Sequence, residues 1–122
     1  MHELGLAQEV VRVVEAAAAR AGARRVLSVR VRAGRLMQVE PDTLTFLLAV
    51  VGRASPVAQD ASFRLEIVPV RLACRRCGHA WEMGDWAFAC PRCGSTALDT
   101  LSGDGLEVVD MEVDMNDARG HP

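Results

Sequence analysis

The sequence predicts an α+β protein: two helices packed on a small three-stranded sheet, with an inserted zinc-ribbon-like module. Three observations predict it. Apolar residues recur at helical spacing in two stretches and alternate at strand spacing in three others. All four cysteines fall in two C-x-x-C pairs between the second and third of those strands, Cys74-Arg75-Arg76-Cys77 and Cys90-Pro91-Arg92-Cys93.

The first helix is expected from Leu4 to Ala21. Leu6, Val10, Val13, Val14, Ala17 and Ala21 form its apolar stripe, Glu9, Arg12, Glu15 and Arg20 point toward water, and Gly22 supplies the cap. Over Val26 to Ala33 the period changes. Leu27, Val29, Val31 and Ala33 alternate with Ser28, Arg30 and Arg32, the pattern of a strand with one buried face.

Gly34-Arg35 breaks that strand, and a second helix starts at Pro41, whose fixed φ suits a first turn. Its stripe is Leu44, Leu47, Leu48 and Val51. Residues 52–59, with Ser55-Pro56, read as a loop. Phe63, Leu65 and Ile67 then alternate with Arg64 and Glu66 up to Pro69, which cannot donate a ladder hydrogen bond and so marks an edge or a bulge near the exit into the metal module.

After the second cysteine pair, 102–105 form a hinge, and Val109, Met111, Val113 and Met115 alternate with Asp110, Glu112 and Asp114. The acidic face of this third strand would complement Arg30 and Arg32 if the strands were neighbours. Residues 116–122 are expected to fray. The division implied is a domain of residues 1–72 plus 105–122 and a metal-binding module of residues 73–104.

The totals narrow the function. With 122 residues the chain holds one modest core plus a metal-stapled insert. No apolar run reaches membrane-spanning length and no apolar leader precedes the first helix, so a cytoplasmic protein is expected. The net charge is -2 and every cation is arginine, a balance that argues against general nucleic-acid binding. No nucleophile and base pair, no phosphate-cradling glycine loop and no open metal site is recognisable, so no catalytic residue is assigned and an enzyme is not expected.

Two C-x-x-C pairs close one tetrahedral S4 site, and a closed site leaves no open position for a substrate, so its role is structural. Gly78 and Gly94 follow the second cysteine of each pair and let the backbone turn under the sulfurs. Zinc suits this set. Iron in a rubredoxin-like site uses the same ligands, and disulfides suit a secreted protein better than this one.

A second candidate lies at Met1-His2-Glu3. A histidine at the second position blunts removal of the initiator methionine, so a free Met1 amine is expected beside the His2 imidazole and two backbone amides that open a helix without carbonyl partners. Nitrogen ligands in adjoining small chelate rings lie nearly in a plane, which suits Ni(II) or Cu(II), with the Glu3 carboxylate at the helix terminus or in an axial position. The plain alternative is a solvated histidine.

Met1-His2-Glu3-Leu4, Val39-Glu40-Pro41, the two knuckles and the acidic last strand together resemble the HypA family of hydrogenase nickel-incorporation proteins. The likeness covers nearly the whole chain. It implies a nickel metallochaperone that binds Ni(II) at its N-terminus and, with a maturation GTPase of the HypB type, helps insert it into the large subunit of [NiFe]-hydrogenase. It implies nickel at His2, Met1 and Glu3, and zinc at Cys74, Cys77, Cys90 and Cys93, in a monomer or weak homodimer. Ala33-Gly34-Arg35-Leu36 and Gly103-Asp104-Gly105-Leu106 depart from the family pattern without touching a proposed ligand.

His79 is weighed as a fifth metal ligand against a surface or supporting role, and four cysteines favour the latter. Trp81 and Trp86 are expected to cover the metal site, the alternative being partner anchors. The rival function is a zinc-ribbon nucleic-acid-binding module, with Arg71, Arg75, Arg76 and Arg92 facing phosphates.

Overall fold

The computed structural model describes residues 2–115, so Met1 and the expected fraying of 116–122 lie outside the described residues. In chain order the elements are α1 (His2–Ala21), β1 (Arg25–Gly34), a 3-10 turn (Arg35–Met37) and α2 (Pro41–Arg53). They continue with β2 (Ser62–Val68), β3 (Arg71–Cys74), β4 (Ala80–Glu82), β5 (Leu98–Ser102) and β6 (Leu106–Asp114). Two helices and two three-stranded sheets result, in strand orders β2-β1-β6 and β4-β3-β5. No described helix is long and apolar enough to cross a membrane.

The chain forms two compact units. The first holds both helices and most of β1, β2 and β6. In α1 the buried residues are Ala7, Val10, Val11, Val14 and Ala18. This stripe is rotated from the expected one: Val13 is 43% exposed, and the small side chains of Ala7 and Ala18 face inward instead. Small residues let a neighbouring element approach closely, and α1 packs against α2. On α2, Leu44 and Leu48 are fully buried, while Glu40 caps the helix by accepting a hydrogen bond from the Thr43 N–H at 3.0 Å.

Gly52 lies on the same buried side of α2, where a Cβ would come within 2.8 Å of the Phe63 ring of β2. Ser55, the one buried polar residue of the described chain, donates its hydroxyl to Glu15 of α1 at 2.7 Å. Packing thus ties α2 to β2, and a satisfied polar contact ties the turn that follows α2 to α1.

The alternation of β1 is less regular than its sequence. Val29 and Val31 are buried as expected, but Leu27 is 40% exposed and Val26 is buried in its place. The phase slips by one residue where the Val26 N–H leaves the ladder to bond the Val57 carbonyl at 2.8 Å. On the other face Arg30 meets Asp110 and Ser28 meets Glu112, so β1 and β6 run antiparallel. Arg32 pairs with Glu66 of β2 rather than with the acidic strand. Arg25–Asp60 and Arg32–Glu66 rise together along the chain, the parallel sense that a strand–helix–strand crossover produces.

The second unit comprises Ala33–Gln38 and Ile67–Leu106. Its sheet pairs β3 antiparallel with β4 and with β5, placing Leu72 opposite Trp81 and Thr100. Its core is small: Val70, Leu72 and Met83, flanked by Leu36, Trp81 and Leu98. Leu36 reaches this core because its N–H bonds Gly103 at 2.9 Å, while Gly34 bonds Gly105 at 2.7 Å. Backbone packs on backbone here. A Cβ at Gly34 would overlap the Gly103 peptide, and one at Gly103, whose φ is +90°, would sit 2.7 Å from Val70 Cα.

Candidate metal centres

Strand β3 ends on Cys74, and the turn that follows returns the chain so that the Cys74 N–H bonds the His79 carbonyl at 2.8 Å. The second knuckle repeats this geometry, the Cys90 N–H bonding Ser95 at 2.9 Å. Gly78 and Gly94 take positive φ values of 80° and 77°, as their place under the sulfurs requires. Their N–H groups bond the carbonyls of Cys74 and Cys90, not the sulfurs. Amides aimed at sulfur include those of Cys77, toward Cys74 Sγ, and Arg92, toward Cys90 Sγ, both at 3.4 Å.

The knuckles face each other. Cys74 and Cys93 sulfurs are 3.6 Å apart, as are those of Cys77 and Cys90, and all four lie within 4.8 Å of one another. All four are free thiols. Sulfurs about 2.3 Å from a common tetrahedral centre stand about 3.8 Å from each other, so the set fits a zinc-sized ion.

Backbone amides and neighbouring sulfurs spread the acidity of the cluster. The Cys77 amide draws the Cys74 thiol down to about 6. Burial raises Cys90, but the amides of Cys93 and Arg92 outweigh it and its thiol is lowered. The His79 amide pulls Cys77 down, yet burial and the sulfurs of Cys90, Cys74 and Cys93 leave it raised to about 11. Four sulfurs this close cannot all ionise without a cation among them, which is the electrostatic demand that a divalent metal meets.

At the other centre His2 opens α1, its Nδ1 3.7 Å from a Glu3 carboxylate oxygen. The second Glu3 oxygen accepts the backbone N–H of Glu40 at 3.0 Å. That bond, before any other cause, holds the Glu3 carboxyl below its ordinary range. Met1 lies outside the described residues, so His2 and Glu3 are the members of the proposed nickel set that the structure brings together. The carboxylate of Glu3 is thereby engaged in joining the starts of α1 and α2.

A family model described as "Hydrogenase/urease nickel incorporation, metallochaperone, hypA" matches residues 1–113. The chain belongs to the HypA family. It is 38% identical to the hydrogenase maturation factor HypA of Streptomyces avermitilis, across 99% of this chain and 92% of that one. Against the hydrogenase maturation factor HypA of Methanopyrus kandleri it is 36% identical, across 93% and 94%. Its fold is that of the solution structure of the Ni metallochaperone HypA from Helicobacter pylori, with a TM-score of 0.74, 18% identity and 93% and 98% of the two chains covered.

Within this HypA chain the remaining candidates separate. The His79 ring stacks on Trp81, centroids 5.5 Å apart, and the four-cysteine cluster does not include it. Trp81 packs on the core of the second unit. Trp86 does not: it is 48% exposed, lies against Phe88 at 5.9 Å and carries the Arg35 guanidinium over its ring at 4.9 Å. Arg75 is held by Asp99 at 2.8 Å. Two residues escaped sequence reasoning as contributors, Glu40 and Arg35, because each acts on a partner remote in sequence, Glu40 through its own N–H on the Glu3 carboxylate and Arg35 on the carbonyls of Met83 and Gly84. The Val39-Glu40-Pro41 motif was the one available signal for Glu40.

Proposed function

We infer that this chain carries Ni(II) for [NiFe]-hydrogenase maturation in the cytoplasm, holding the ion at the start of α1 through the Met1 amine, the His2 imidazole and the backbone amides of His2 and Glu3. The observation that carries this reading is His2 in the first turn of α1, where backbone N–H groups have no intrahelical carbonyl and are available as ligands. Glu3 serves from the second rank. Its carboxylate is bound to the Glu40 amide and 3.7 Å from the imidazole, and so orients the histidine and offsets the charge of the ion.

Nickel is cargo, so it must leave as well as bind. A half-exposed site on a helix terminus lets the recipient replace ligands one at a time. A GTPase of the HypB type and the hydrogenase large subunit are the partners this reading assigns. Zinc at Cys74, Cys77, Cys90 and Cys93 has the other role: it supplies folding free energy to a module that adds only Met83 to the small core it shares with Val70 and Leu72 just before it in the chain. In this division residues 1–72 and 105–122 hold nickel, and 73–104 hold zinc.

The test is a Ni(II) titration of zinc-loaded protein by calorimetry and absorption, beside His2→Ala and a variant with one residue added before Met1. Stoichiometric binding lost in His2→Ala and altered by the extension supports the N-terminal chelate. Equal binding in all three proteins sinks it and moves nickel to His79 or the thiolates.

A further inference from the structure

The face of the β2-β1-β6 sheet opposite Val29 and Val31 is a polar surface with a specific charge pattern, and neither metal centre uses it. Most of its charges are matched internally. Arg30 grips Asp110 with two nitrogens, at 3.0 and 2.8 Å, and Arg32 pairs with Glu66 at 2.9 Å. Two charges are left over. Arg64 has no hydrogen-bond or ion-pair partner among the described residues, and Glu112 accepts only the Ser28 hydroxyl, at 2.9 Å, with no cation in ion-pair reach.

Neither leftover charge is closed into a direct pair by its neighbours. Arg64 stands beside the already committed Arg30, and these two arginines line two shallow clefts in this face, about 200 and 320 Å³ in volume. Glu112 lines the smaller cleft with Arg64. From β2 to β6 is two strand spacings, and Arg64 and Glu112 are offset by two residues along β1, so their Cα atoms stand about 12 Å apart.

We propose that this face docks a polypeptide segment of a partner protein that brings a carboxylate to Arg64 and a cationic side chain to Glu112. An extended segment advances about 13 Å between residues i and i+4, whose side chains point the same way, so it spans the two charges from one side. A nucleic acid fits poorly, because Asp110, Glu112 and Glu66 line the same clefts and repel a phosphate backbone. The surface is independent of the nickel reading, and its charge pattern selects a partner by sign and spacing.

The experiment is a nitrogen-15 NMR titration of the full chain with three acetylated, amidated pentapeptides: Glu-Thr-Val-Thr-Lys, Glu-Thr-Val-Thr-Glu and Lys-Thr-Val-Thr-Lys. The mixed-charge peptide is expected to shift the Arg64 side-chain N–H and the amides of Ser28, Arg30 and Glu112, binding about fivefold tighter than either single-sign peptide. Arg64→Glu should transfer the preference to the double-lysine peptide, and Glu112→Arg to the double-glutamate one. Circular dichroism checks the fold of each, and Glu112→Gln, which should abolish the preference over the double-glutamate peptide, stands in if the reversal unfolds. Equal binding of all three peptides, a preference unmoved by charge reversal, or shifts of these same signals with protein concentration alone, which would place a second copy on the face, each overturns the proposal.

Discussion

The backbone N–H of Glu40 donates to the Glu3 carboxylate at 3.0 Å, while the Glu40 side chain caps α2 through Thr43. One residue therefore fastens the starts of both helices. Because the bond favours the ionised carboxylate, the Glu3 carboxyl is lowered, and a group with a depressed folded value contributes stability present above its unfolded value, 4.5, and lost as pH falls through the lowered one. Glu3→Gln should melt below wild type at neutral pH, with the gap closing as both proteins are acidified below about pH 4. Thermal melts across that range check it; a gap independent of pH would show that the charge of Glu3 does not matter.

The glycine crossing makes a sharper contrast. A Cβ at Gly34 overlaps backbone, which cannot swing aside as a side chain can, whereas one at Gly5 in α1 meets nothing within 4 Å. Gly34→Ala should destabilise by about 3 kcal/mol or more and Gly5→Ala should stabilise by about 0.5–1 kcal/mol. Urea unfolding of the two variants measures both.

Removing a thiolate tests the role of the metal. On the proposed zinc reading, Cys74→Ala deletes a buried ligand at the end of β3, and with it a share of a binding free energy of order 10–16 kcal/mol in structural zinc peptides. The expected result is loss of bound zinc and of dispersed NMR signals from 67–106, with signals of α1 and α2 kept. Collapse of the helices as well would mean that the first unit cannot stand without the second.

Arg35 offers a local test. Its Nη1 donates to the carbonyls of Met83 and Gly84 at 3.1 and 2.8 Å, and its guanidinium lies over Trp86. Arg35→Ala should leave zinc content unchanged while freeing the 83–88 loop. Trp86 then becomes more accessible to fluorescence quenching, read in a Trp81→Phe background so that one indole reports.

Legibility followed the range of the forces involved. Helix bounds, the cysteine cluster and the acidic last strand were readable because each depends on periodicity or spacing within a few residues. The α1 stripe was misjudged: Val13 and Val14 both satisfy helical spacing, and only the position of α2 decides that Ala7 and Ala18 turn inward. Leu27 failed for a similar reason, since the slip that exposes it is set by the Val57 carbonyl thirty residues away. Strands β3, β4 and β5 are short, and their pairing rests on closure of the knuckles more than on pattern.

By itself the sequence determined the fold class, the four-cysteine cluster and the family, because hydrophobic period and cysteine spacing are local properties of a chain. Only the tertiary structure decided which charges find partners. Arg30 closes on Asp110 eighty residues away, Arg32 turns to Glu66, and Arg64 beside them is left to face outward. Ion pairs form between neighbours in space, and strand order, which no single strand encodes, makes those neighbours.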